Sequence, residues 1–305
     1  MTPPLSAEAV SFAIWTCFAV TVGAVLGSFI NVVAARLPRG ESVVTPRSRC
    51  PECGAQIAWY DNVPVLSYFV LRARCRRCRA PISWQYPAVE ACAALFALGL
   101  WLTRGPSLAL LFDAAVVGLL LTLAVIDART YLLPERLTIP LALIALAGRA
   151  VVPLAQPPID LALAGRQLLD GLGGAGLGVL LLGSVALIGT RWARRSGRIG
   201  PDEDAMGFGD IALIAGIGAQ VGTLPVLAVI FLASTQGAVI GGLLLLLGGD
   251  AASAEEPAEP EEWEEDWSPP HHAIPFGPFL ALGAVEWILF GPLLSRWFGG
   301  PLAWF

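Results

Sequence analysis

Long apolar runs dominate the chain and recur at roughly 9–35, 86–103, 107–126, 137–155, 171–190, 208–224, 225–248 and 274–295. Most come close to the ~20 residues an α-helix needs to cross the hydrocarbon core of a bilayer. None alternates with the period of two that marks a half-buried strand. A spanning segment must satisfy its backbone internally, which leaves the helix. The pattern predicts an all-α polytopic membrane protein with about eight transmembrane helices. The least sharply divided pair is 208–224 and 225–248, whose join rests on Gly222 and Pro225. The first run lacks a basic n-region and a small-residue cleavage site, so it is expected as a span and not as a removed signal peptide.

Composition sharpens this picture. Of 305 residues, 56% are hydrophobic and only 14% charged, with a mean hydropathy of +0.69. A soluble domain carries about a quarter charged residues, so an ordinary soluble fold is excluded. The net charge of −5 conceals a segregation. All 19 basic residues are Arg; nine lie between Arg36 and Arg79, and Arg191, Arg194, Arg195 and Arg198 form a second cluster. Basic loops stay in the cytoplasm, and the four predicted helices between the clusters return the chain to that side. The same count puts the 127–137 turn in the cytoplasm and the 153–170 loop and both termini outside. The 249–270 stretch, with nine acidic residues among Pro and Ala, cannot bury enough apolar area to fold alone. The expected organisation is a first transmembrane helix in 1–35, a cytoplasmic four-cysteine module in 36–85, a helical core over 86–248, an acidic disordered loop over 249–273, and a last helix with the C-terminus in 274–305.

Four of the six cysteines form two matched pairs, Cys50-Pro-Glu-Cys53 and Cys75-Arg-Arg-Cys78. Each CxxC turn aims two thiolates at one point, and two such turns supply the four soft ligands of a closed tetrahedral zinc site. The fold class therefore includes a small zinc-ribbon-like module, with a structural and not a catalytic metal. The neighbouring arginines are expected to favour thiolate. A redox dithiol is the alternative, although cytoplasmic thiols stay reduced. Cys17 and Cys92 lie inside apolar runs and are expected to pack there.

Acids are rare in the apolar segments, so each calls for a reason. Asp127 ends the third run and Asp210 begins the sixth, both at the predicted cytoplasmic edge. Two carboxyl groups at close range share one proton; the ionised one activates water while the protonated one polarises a carbonyl. The alternative is that each caps a helix or pairs with Arg129 or Arg136. Gly207 and Gly209, flanking Asp210, leave room for a second backbone such as an extended peptide. Glu90, placed in the first turn of the second helix, is either a structural anion or part of a second activity. Asp113 and Glu286 have no evident partner. Gly171, Gly173 and Gly176 match GxGxxG, but no strand precedes them; with Gly174 and Gly178 they predict close helix packing. A proton or cation pathway and a non-catalytic assembly factor remain rival functions at this point. No nucleic-acid partner is expected.

Several motifs together resemble the bacterial type IV prepilin peptidases, bifunctional leader peptidase/N-methyltransferases among the GxGD membrane aspartyl proteases. They are GSFINVVAARLP at 27–38, the cysteine region from Cys50 to Glu90, Asp127 with Leu133-Pro134 and Leu137-Thr138, Gly207-Phe208-Gly209-Asp210, and IPFGPFLALG at 274–283. The resemblance implies an inner-membrane, multi-pass enzyme with its active site facing the cytoplasm. Asp127 and Asp210 would be the catalytic pair, and the substrates prepilins or pseudopilins with a cytoplasmic leader. It also implies methylation of the new N-terminus from S-adenosylmethionine, and pilus or secretion assembly proteins as partners. Ala212 and Glu135 depart from the residues frequent in the family at those positions.

Overall fold

The computed structural model describes residues 6–198, 200, 204, 206–246 and 274–297. The expected acidic loop over 249–273, with His271 and His272, lies outside them. Nine α-helices are described: α1 (Ala7–Arg36), α2 (Leu66–Val70), α3 (Gln85–Arg104), α4 (Leu108–Thr130), α5 (Glu135–Leu154), α6 (Leu161–Arg195), α7 (Phe208–Val221), α8 (Pro225–Leu246) and α9 (Gly277–Trp297). Seven of them are long and apolar enough to cross a membrane. The exceptions are the five-residue α2 and the apolar α7, which has 14 residues. At 1.5 Å per residue α7 is about 21 Å long, shorter than the hydrocarbon core. Among the described residues there is no strand.

The chain divides into two compact units, Met1–Val125 and Ile126–Phe305, with the boundary inside α4. In the first, α1 lies along α3. A Cβ on Gly23 would fall 2.6 Å from the Ala97 side chain, and one on Gly27 2.6 Å from the Glu90 Cα. The two glycines thus let the backbones approach, as small residues do between membrane helices. Asn31 reinforces the seam: its Nδ2 donates to the carbonyl oxygens of Tyr86 (3.2 Å) and Gly27 (3.3 Å). The turn between α3 and α4 is closed by Arg104 on Asp113 at 2.7 Å, the partner the sequence did not name. Cys17 and Cys92, expected to pack, are both exposed on the chain, facing outward from their helices.

In the second unit α7 is the centre. Leu213, Ile214, Gly216, Ile217, Gly218, Ala219 and Val221 are all buried. A helix hydrophobic all round suits a position enclosed by other helices. The glycine stripe of α6 runs against it: Gly171 meets Ala219, Gly174 meets Gly218 and Gly222, and Gly178 meets Ile214. The GxGxxG match is thus part of a helix seam, with Gly176 open on the opposite face. Helix α6 starts ten residues before the expected 171, capped by Asp160, whose Oδ1 accepts from the Leu163 N–H at 2.8 Å. Arg149 on α5 bonds the Gln220 and Gln167 carbonyls and the Asp170 carboxylate, tying α5, α6 and α7 at the end remote from Asp210. Glu286 on α9 accepts from Gln236 on α8 at 2.7 Å.

Candidate active site

The C-terminal end of α4 delivers Asp127, which is buried with 4% of its surface exposed. Its Oδ2 accepts a hydrogen bond from the Gly277 N–H at 2.9 Å. Gly277 is the first residue of α9, so the carboxyl group takes an amide at a helix N-terminus, the natural place for an anion. A Cβ at Gly277 would collide with that same oxygen. Glycine is therefore dictated by side-chain contact at a distance of 150 residues in sequence. The IPFGPF motif had no physical role in the sequence; here its Gly277 supplies the amide that holds Asp127.

Asp210 is the third residue of α7, whose N-cap is Gly207. Between the two acids lies a second close contact. After Asp127 the backbone turns at Tyr131, in the left-handed region at φ 55°, and the Tyr131 N–H returns to the Asp127 carbonyl at 2.9 Å. This turn carries Leu133 against Gly209, where an added Cβ would fall 2.7 Å from the Leu133 Cβ. The space left by Gly209 is thus filled by the chain's own leucine. The Gly207 side is open, with only the Gly209 nitrogen within 4.0 Å of a built Cβ. The turn after Asp127 is thereby packed against the first turn of α7, the turn that carries Asp210.

Four sulfurs converge in the loop between α1 and α3. The Sγ atoms of Cys50, Cys53, Cys75 and Cys78 all lie within 4.8 Å of one another, and Cys50 and Cys78 are 3.7 Å apart. A tetrahedral Zn–S distance of ~2.3 Å requires sulfurs about 3.8 Å apart, so the donor set fits a metal ion. The two knuckles repeat at an offset of 25 positions. Cys50 N–H donates to Ala55 O and Cys75 N–H to Ala80 O; Ile57 pairs with Ser48 as Ile82 does with Ala73. Gly54 and Arg79 occupy the same left-handed position, at φ 66° and 65°. The N–H groups of Cys78 and Arg77, and not the arginine side chains, hold the Cys75 thiol down to about 6. Arg76 instead clasps Asp61 through Nε and Nη2, keeping that carboxyl below the usual carboxylate range.

Glu90 is the sixth residue of α3, in its second turn and not the first. It is buried, and its Oε2 accepts from the Val65 N–H at 2.6 Å. Val65 has φ 62°, an outlier for a β-branched residue. This supplies a structural partner for Glu90, which ties the cysteine module to α3.

Two family models match the chain: the bacterial Peptidase A24 N-terminal domain over residues 21–103 and the type IV leader peptidase family over residues 114–242. The chain is similar to the prepilin leader peptidase/N-methyltransferase of Myxococcus xanthus, at 35% identity covering 93% of this chain and 92% of the relative. It is also similar to proteins of that name from Klebsiella pneumoniae, at 37% identity over 68% of this chain and 86% of the relative, and Aeromonas hydrophila, at 30% identity over 90% of each. No solved structure matches it.

Proposed function

The chain belongs to the type IV leader peptidase family, and from that premise we propose that it is a membrane aspartyl endopeptidase with Asp127 and Asp210 as its catalytic pair. Its substrates are prepilins or type II secretion pseudopilins, whose leaders are cut at the cytoplasmic face of the inner membrane. The observation that carries this reading is the burial of Asp127 on the N-terminus of α9, with the turn that follows it packed against Gly209, next to Asp210. With one proton between two carboxyl groups, the ionised acid takes a proton from the attacking water. The other acid donates toward the peptide carbonyl oxygen, and both return to their starting states when the amine leaves. The open side of Gly207 leaves room for an extended peptide backbone to reach the pair.

The second activity printed in the relatives' names, N-methyltransfer, belongs to the same proposal, with S-adenosylmethionine as methyl donor. No step is routed through Glu90, whose Oε2 is committed to Val65. The four cysteines hold zinc, and four thiolates leave no open position on it; the ion would cross-link the two knuckles. Pilus or secretion assembly proteins are the partners that pilin processing implies.

The test is to incubate the purified protein with a prepilin and labelled S-adenosylmethionine, following cleavage and methyl incorporation separately. Asp127→Asn and Asp210→Asn are each expected to lower cleavage by at least about 1,000-fold, the scale of removing one member of a catalytic constellation. Cleavage that survived either substitution would remove the dyad.

A further inference from the structure

The cysteine module exposes large apolar side chains that a water-facing loop does not need. Trp59 is 82% exposed, Val70 75%, Trp84 74%, Phe69 68% and Leu66 64%. Leu66, Phe69 and Val70 recur at i, i+3 and i+4 and so share one face of α2. Trp84 stands at the N-cap of α3, where tryptophan marks a membrane–water interface. The height of α2 is fixed by the Glu90 contact. Val65, its N-cap, is bonded to a residue five positions beyond the start of α3, about 7–8 Å along that helix. Because α3 is long and apolar enough to cross a membrane, α2 begins at the level of the bilayer boundary.

Beside this face opens a hollow of about 330 Å³, lined by Val70, Leu71, Arg72, Arg74, Cys75, Arg76 and Arg79. Arg76 is committed to Asp61, whereas Arg72, Arg74 and Arg79 make no ion pair among the described residues. Arg72 and Arg79 are held in the left-handed region, at φ 54° and 65°, which long side chains rarely adopt. The hollow is thus lined by arginines together with the apolar Val70 and Leu71.

We propose that this face of the module docks on the membrane surface. Leu66, Phe69, Val70 and Trp84 enter the boundary between headgroups and acyl chains, and the phosphate of an anionic phospholipid occupies the Arg72, Arg74 and Arg79 hollow. A lipid is favoured over a protein partner because both ends of the module run into spanning helices and Glu90 holds α2 at the bilayer's own level. Guanidinium groups match phosphate oxygens in bidentate geometry. Each basic residue near an anionic surface strengthens binding about fivefold.

The test uses the full-length protein in nanodiscs of phosphatidylcholine, with or without phosphatidylglycerol. Lipids brominated near the headgroup are expected to quench tryptophan fluorescence, with Trp84→Phe removing part of the shallow-quenched signal. Native mass spectrometry is expected to find phosphatidylglycerol retained by the wild type, at least about tenfold more weakly by Arg72→Gln/Arg74→Gln/Arg79→Gln, and near wild type by the triple lysine variant, which keeps the charge. Equal retention by the glutamine variant would overturn the headgroup site, and so would displacement of the lipid by inorganic phosphate, which would mark a small-anion pocket. Should the glutamine variant fail to fold, the quenching measurement still decides: shallow bromines that leave Trp84 unquenched refute the docking.

Discussion

At the residue scale, the most informative contact joins Gly277 to Asp127. A carboxyl group 4% exposed at the end of an apolar helix is costly unless something replaces its water. The Gly277 N–H does so at 2.9 Å. Any side chain at 277 would occupy the position of the Asp127 oxygen. Gly277→Ala is therefore expected to displace the carboxyl group and lower kcat for prepilin cleavage by about 100-fold, the scale of a misplacement near 1 Å. Helix content should be unchanged, because Ala suits a helix better than Gly. Steady-state kinetics with circular dichroism checks both halves; an alanine variant with wild-type kcat would show that the close approach is not part of catalysis. The sequence singles out Asp127 and Asp210 as candidates from their position at the ends of apolar runs, where acids are rare. It gave no account of Gly277, because the atom that excludes a side chain there belongs to a residue 150 positions away.

At the scale of elements, the apolar runs located every long helix, because the solvent they cross imposes length and apolarity together. They misjudged α6 and α7 for opposite reasons. Arg166 and Asp170 dilute the start of α6, so its apolar run begins only at 171, although the Asp160 cap is readable three residues before Leu163. Helix α7 is too short to span a bilayer alone and is enclosed instead by its neighbours in the second unit. Its seam with α6 is built from Gly171, Gly174 and Gly178, and the two faces of α6 yield opposite expectations. Gly174→Ala would drive a methyl group into the Gly218 carbonyl, and overpacking of this kind costs about 1–3 kcal/mol. Gly176→Ala meets nothing within 4 Å and should be neutral or stabilising by about 0.5–1 kcal/mol from helix propensity alone. Unfolding of both variants in detergent checks the pair. A cost at Gly176 equal to that at Gly174 would mean that the fingerprint glycines serve something other than this seam.

At the scale of the molecule, the two chemistries fall in different units: the cysteine cluster in the first, the two aspartates in the second. The net charge of −5 likewise sums unlike parts, an arginine-rich module against acids concentrated near the other end of the chain. The 25-position repeat of the module was present in the sequence as Arg49-Cys50 to Cys53 and Arg74-Cys75 to Cys78. Its symmetry was hidden because Arg79 stands where Gly54 does, and a left-handed arginine is not what composition predicts. Each knuckle is held by a few turn bonds and a single isolated bridge, Arg49 with Gln56 and Arg74 with Pro81. The metal is thus expected to carry the folding of this segment, as it does in small zinc domains generally. Chelation, or Cys53→Ser with Cys78→Ser, should remove about one zinc per chain and open 48–82 to proteolysis, while the spanning helices keep their protection. Because neither Asp127 nor Asp210 shares a unit with the cysteines, the loss should raise KM for prepilin or lower the folded fraction more than it lowers kcat. Metal analysis, limited proteolysis and separated kcat and KM values test this together. A fall in kcat as deep as that of Asp127→Asn, with the helices intact, would mean that the metal site and the carboxyl pair work as one centre.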